Sequence, residues 1–252
     1  MATRTVGDRR RSDGDRAGPL LDAVYADVLA PSFPPDELAT RADLVDGLAS
    51  GATSLATILD PAGAPLAAAV VEWSAGSGIL LLSYLAARPG ARGGGYGAAL
   101  LGYAQRDWLD RYGAVALVAE IEHPAAHDGN AAHGDPAARV RFYARNGGRA
   151  LDLPYFQPAL APGGQRVYGL ILAVLATGAG PAPDRIAAEP LRRFLTEYLI
   201  GTEGAVGTDP ATEALFRGLD RPGGVPLLPL DEPDRLPVST KDGQDPSRRP
   251  AT

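Results

Sequence analysis

The sequence has no cysteine, and its one lysine, Lys241, lies near the C-terminus. Without thiols there are no disulfides, no thiolate metal sites and no cysteine nucleophile, and redox chemistry does not decide the compartment. The net charge is −6 and no lysines cluster, so the phosphate-neutralising contacts that nucleic acid demands are hard to supply. Nucleic acid is therefore not expected as a main partner. Long apolar runs are missing too. The longest, at 79–87 and 170–176, reach about half of the ~20 residues needed to span a membrane. The arginine- and aspartate-rich start lacks the apolar stretch of a secretory signal. A cytoplasmic protein without a membrane segment is the expectation.

What is present reads as globular. Of 252 residues, 45% are hydrophobic and 21% charged, proportions of a folded chain rather than a disordered one. Residues 1–18 read as a flexible N-terminal arm, with a short strand conceivable at 3–6. Apolar spacing predicts a helix over 19–30, ended by Pro31-Ser32-Phe33-Pro34-Pro35, and a second over 36–48. Strands follow at 54–59 and 65–73 around the turn Asp60-Pro61-Ala62-Gly63-Ala64, then at 79–87. Next come a helix over 98–111, a strand over 114–122, and a helix opened by Asp135-Pro136 and closed by Gly147-Gly148. Strands at 149–155 and 166–174 complete a domain over 19–177. Its class is α/β (α+β), with a mixed, mainly antiparallel sheet flanked by helices.

Beyond it, 178–220 reads as a C-terminal helical appendage. Its helix at 189–200 carries Leu191, Phe194, Leu195, Tyr198 and Leu199 on one face. That face either packs on its own chain or forms a homodimer contact. Proline, glycine, aspartate and arginine dominate 221–252, which reads as a disordered tail.

The chemistry centres on Arg92-Gly93-Gly94-Gly95-Tyr96-Gly97, between the strand at 79–87 and the helix that follows. A helix N-terminus offers unpaired N–H groups and a partial positive charge, and glycines let a diphosphate approach the main chain. A nucleotide P-loop requires a lysine here and there is none. The dinucleotide pattern is met by Gly93, Gly95 and Ala98. However, Pro89 to Arg92 separate strand from glycine, and Glu120 and Glu122 come late for its acidic residue.

Arg92-x-x-Gly95-x-Gly97 resembles the Q/R-x-x-G-x-G/A signature of the Gcn5-related N-acetyltransferase (GNAT) family. Arg141-Phe142-Tyr143-Ala144-Arg145-Asn146-Gly147 resembles that family's second signature, a helix tyrosine followed four residues later by glycine. The order of elements over 19–176 is similar as well. The resemblance implies acetyl-CoA, or another short acyl-CoA, as co-substrate. The backbone of Leu85 and Ala87 would hold the pantetheine arm. Arg92, Gly93, Gly94, Gly95, Tyr96, Gly97 and Ala98 would hold the diphosphate. It further implies direct transfer of the acyl group to a primary amine of a small molecule or a protein, with Tyr143 as acid. One departure stands out: where the family often has asparagine, seven residues before the tyrosine, this chain has Pro136.

Glu120 and Glu122 share a strand face at period two and are the candidates for the base. His123 follows at the strand's C-terminal end, where open sheets place ligands. Glu72 is a weaker candidate. Phe33, Tyr155 and Phe156 are candidates for an acceptor pocket, alongside His123 and Glu72. His123, His127 and His133 lie close in sequence, but their Ala- and Gly-rich surroundings favour polar loop residues over a metal site. A non-catalytic acyl-CoA sensor and aminoacyl transfer from charged tRNA remain open as alternatives.

Overall fold

The computed structural model describes residues 2–6, 14–35, 37–129, 134–160, 164–178 and 183–248. It divides into two compact units. One comprises Met1–Trp73 and Leu80–Trp108, the other Ser74–Ile79 and Leu109–Thr252.

The first unit opens with β1 (Ala2–Val6), which pairs antiparallel with β2 (Thr53–Leu59). Helix α1 (Gly14–Val24) runs into a π-helical turn, Tyr25–Leu29. The stretch expected as a flexible arm thus holds an edge strand and the start of a helix. Helix α2 (Arg41–Ser50) begins later than its apolar spacing implied, because Thr40 and Asp43 form a capping box. The Thr40 hydroxyl accepts the Asp43 N–H at 3.2 Å, and the Asp43 carboxylate accepts the Thr40 N–H at 3.1 Å. Strands β2, β3 (Pro65–Ser74) and β4 (Ile79–Ala87) follow one another in the sheet. Leu21, Val24, Val28 and Leu29 cluster with Leu44, Leu55, Val70 and Tyr84 as the core of this unit. Helix α3 (Tyr96–Tyr103) and a second π-helical segment, Ala104–Trp108, complete it.

The second unit has α4 (Leu109–Tyr112), β5 (Ala116–Glu122), α5 (Pro136–Arg145), β6 (Arg149–Leu151), β7 (Tyr155–Gln157) and β8 (Val167–Thr177). After these come β9 (Arg185–Ile186), α6 (Ala188–Glu203), α7 (Pro210–Arg217) and β10 (Val225–Pro229). Strand β8 pairs antiparallel with β5, β6 and β7, and β10 pairs antiparallel with β6 and β9. The apolar face of α6 is covered within the chain itself: Leu191, Phe194, Leu195 and Leu199 are buried.

The disordered tail expected over 221–252 is corrected for its described residues. β10 adds to the sheet, and Leu227, Leu230 and Leu236 are buried. Scattered single leucines give no periodic signal, but each buried one contributes roughly 1.5–3 kcal/mol. That is enough to hold a proline-rich segment whose backbone entropy is already low.

Candidate functional site

In the first unit, β4 delivers the chain to the glycine turn. The Arg88 N–H bonds to the Leu66 carbonyl at 2.9 Å, and Pro89 and Gly90 follow in an exposed turn. Gly93 and Gly95 have φ of +86° and +77°, a region that side chains disfavour. A Cβ at either would meet nothing within 4 Å, so the backbone conformation, and not crowding inside the protein, calls for glycine there. Gly95 is the N-cap of α3, and no side chain caps the helix. The Gly95 carbonyl takes the Ala99 N–H at 3.1 Å, the first bond of the helix. The N–H groups of Tyr96, Gly97 and Ala98 precede that bond and point outward with the positive end of the dipole. Arg92 and Gly94 are exposed beside them, and Leu85 and Ala87 are half-buried on β4.

Two other residues of this unit turn out to be occupied. Phe33 stacks edge-on against Tyr84, with ring centroids 4.9 Å apart, and so packs into the core. The Tyr84 hydroxyl accepts the Ala39 N–H at 2.8 Å and donates to the Glu37 carbonyl at 3.0 Å. Glu72 is exposed on β3 and accepts a hydrogen bond from Ser83 at 2.8 Å.

In the second unit, Glu120 and Glu122 do share the face of β5, but their surroundings separate them. The Tyr155 hydroxyl donates to one oxygen of Glu120 at 2.5 Å, and the Gln157 amide donates to the other at 2.7 Å. Distances this short suit donors held on an ionised carboxylate. Burial, and then the neighbouring Glu120 charge, push the Tyr155 phenol well above its usual range, so it remains a donor. Glu122 instead forms an ion pair with Arg139 of α5 at 3.0 Å. Gln157 went unrecognised in the sequence. The period-two argument that paired the glutamates would have found it, two residues after Tyr155.

Tyr143 lies on α5, 8% exposed, and among the described residues no partner holds its hydroxyl. Burial pushes it up to about 12, against a smaller opposing effect from Arg139. The departure at Pro136 has a structural role: Asp135 caps α5 by accepting the Ala137 N–H at 2.9 Å, and Pro136 occupies the first turn.

Three of the acceptor-pocket candidates, His123, Tyr155 and Phe156, are buried. His123 is 1% exposed, covered by the segment after β10. Its Nδ1 accepts the Ala125 N–H at 3.0 Å, so the neutral ring carries its proton on Nε2. Nε2 makes no well-formed hydrogen bond, although the Leu236 and Pro233 carbonyls lie near enough to favour the charged ring. Burial outweighs them and holds its pKa below the usual value. Phe156 is fully buried under the Arg166 guanidinium, 4.5 Å from the ring centroid. His127 is hydrogen-bonded to the Tyr168 carbonyl at 2.8 Å, and His133 lies outside the described residues.

The fold is that of the Gcn5-related acetyltransferases. A solved structure from Bacteroides thetaiotaomicron, assigned to the GNAT family, is similar to it with a TM-score of 0.55 and 20% identity. That match covers 80% of this chain and 99% of the other. An aminoglycoside 6'-acetyltransferase type Ii matches at a TM-score of 0.48 and 14% identity, over 73% of this chain and 100% of that one. A GNAT-family protein from Desulfovibrio desulfuricans matches at 0.45 and 20%, over 69% and 99%. No family model matches the sequence. No curated protein matches it either. Among the described residues, no helix is long and apolar enough to cross a membrane.

Proposed function

We propose that the chain is an acyl-CoA-dependent N-acyltransferase, with acetyl-CoA as the foremost donor and a primary amine of a small molecule or protein as acceptor. The observation that carries the reading is the start of α3. Left-handed glycines there leave three successive N–H groups uncapped by any side chain, in a chain with the acetyltransferase fold. This reading assigns the coenzyme's diphosphate to those groups and to Arg92, and the pantetheine arm to the backbone of Leu85 and Ala87.

In the reaction so assigned, the amine nitrogen attacks the thioester carbonyl. The C–N bond forms, the C–S bond breaks, and the proton leaving nitrogen goes to Glu120. Glu120 suits this task better than Glu122, because its donors Tyr155 and Gln157 are uncharged whereas Glu122 is paired with the guanidinium of Arg139. Tyr143 suits the sulfur side. At about 12, its hydroxyl lies well above an ordinary thiol near 8.5, so full proton transfer would run roughly 5 kcal/mol uphill. Tyr143 in this role donates a hydrogen bond to the developing thiolate and keeps its proton. Solvent or the spent base then supplies the thiol proton.

Thermal melting with acetyl-CoA, and with NAD as control, tests the reading. Coenzyme at about 100 times its Kd adds about 2.7 kcal/mol, which raises Tm by roughly 5–10 °C for a chain of this size. No rise with acetyl-CoA or a longer acyl-CoA at saturation overturns the proposal.

A further inference from the structure

The segment after β10 turns at Glu232 and then crosses the second unit as a strap. Leu236 is fully buried and anchors it, and Ser239 is 4% exposed. The Ser239 hydroxyl sits between two strands: it accepts the Gly169 N–H of β8 at 2.9 Å and donates to the Tyr155 carbonyl of β7. It therefore fills a rung that these strands do not make themselves. Pairing runs from Tyr155 opposite Leu170 to Gln157 opposite Val167, with the register shifted between them. Gly169 stands at that irregularity with φ of +69°, and its carbonyl accepts the His123 N–H at the end of β5 at 3.0 Å. The strap is itself fastened: Asp245 accepts the Val238 N–H at 3.1 Å, and Asp242 accepts the Thr240 hydroxyl at 2.6 Å.

The residue whose carbonyl Ser239 pins is the one whose phenol grips Glu120. β7 has only three residues, Tyr155–Gln157, and its ladder to β8 is irregular, so the Ser239 bridge works together with the burial of Tyr155 and Phe156 in setting its position. Two of those residues, Tyr155 and Gln157, each donate a hydrogen bond to Glu120. A shift of β7 by a fraction of an ångström would loosen both bonds at once, since hydrogen bonds weaken steeply as geometry degrades.

We propose that Ser239 is a positioning residue for Glu120: by completing the β7–β8 ladder it holds Tyr155 and Gln157 on the carboxylate. The role in turnover rests on Glu120 being the proton acceptor proposed above; the coupling itself does not. Among the described residues, the groups around this cluster include Tyr198 of α6, which acts on the Tyr155 phenol, and the Glu122–Arg139 pair one step along β5.

Carboxyl-carbon NMR of the full chain labelled in glutamate reads the coupling without any substrate, with the Glu120 signal assigned by its loss in Glu120→Gln. Donors to a carboxylate favour its charged form. Tyr155→Phe is expected to raise the titration midpoint of Glu120 by about one pH unit. Ser239→Ala moves it in the same direction by less, and the double variant shifts by less than the sum of the two, because Tyr155→Phe has already removed one of the two donors that Ser239 holds. Should Ser239→Ala fail to fold, Ser239→Cys retains the shape with a weaker donor and acceptor and carries the test. An unmoved midpoint in the Ser239 variants, or in Tyr155→Phe, overturns the proposal, as does an additive shift in the double variant. Failure of acetyl-CoA to raise Tm would remove the catalytic reading and leave this result standing.

Discussion

Arg139 reaches from α5 to Glu122 on β5, 3.0 Å from nitrogen to oxygen, whereas the neighbouring Glu120 is held by the uncharged donors Tyr155 and Gln157. Glu120→Gln is expected to lower acyl transfer by about 100-fold or more, the scale of general base catalysis. Glu122→Gln should cost less than about threefold, because Glu122 is engaged with Arg139 in a pair open enough to solvent to contribute little. Thiol release from acetyl-CoA across a panel of primary amines measures both. Equal losses would mean that the two carboxylates act together.

Gly95→Ala separates the fold from the coenzyme. Its φ of +77° places a side chain in the left-handed region, at a cost of about 1–2 kcal/mol, yet the added methyl meets no protein atom within 4 Å. The unliganded variant should melt roughly 2–8 °C lower. Under the proposed assignment the rise produced by acetyl-CoA should largely vanish, because the added methyl would stand in the path assigned to the diphosphate. A full rise in the variant would place the coenzyme elsewhere.

His123 makes stability depend on pH. Burial holds its folded pKa below the unfolded value of 6.5, against the Leu236 and Pro233 carbonyls and Asp245, and with help from His127. The unfolded chain therefore binds the extra proton first. This contribution is fully present above pH 6.5 and is lost as pH falls through the folded pKa. Urea midpoints at pH 7.5 and 5.5 should differ, and the difference should shrink in His123→Gln. An unchanged difference would assign the effect to other groups.

Arg166 ties α6 to the start of α7. It bonds Glu203 at 2.6 Å and Asp209 at 2.9 Å, with only 15% of its side chain exposed. The hydrogen bond from Arg166 holds the Glu203 pKa below the carboxylate range. Burial works the other way on Asp209, but Thr212 and Arg166 outweigh it and its pKa is low as well. Both contributions are present above the unfolded carboxylate values and fade as pH falls below them. Arg166→Leu strands Glu203 and should destabilise the chain by about 3 kcal/mol. Arg166→Lys should recover little, since one ammonium cannot reproduce the fork. Urea denaturation of the three proteins checks the order.

Much of this was legible in the sequence where local chemistry decides structure. The strand Ile79–Ala87, the glycine turn ahead of α3 and the Asp135-Pro136 helix start follow from patterns a few residues long. The start of α2 was misplaced because apolar spacing outweighed the Thr40–Asp43 capping box. What escaped depends on residues far apart. Whether His123 faces a ligand or lies under a strap is settled by Pro233 and Leu236, more than a hundred positions away. The partners that distinguish Glu120 from Glu122 come from β7 and α5, and spacing within β5 cannot reveal them.

The position of β10 bears on how the protein is made. Its partner β6 ends at Leu151, yet β10 begins only at Val225, so a ribosome must add more than seventy residues before that ladder can close. The second unit cannot finish folding until Val225–Pro229 has been made, and the edge of β6 waits unpaired in the meantime. Closing such a distant ladder is slow, and the interval is when a chaperone, or another nascent chain, would find that edge.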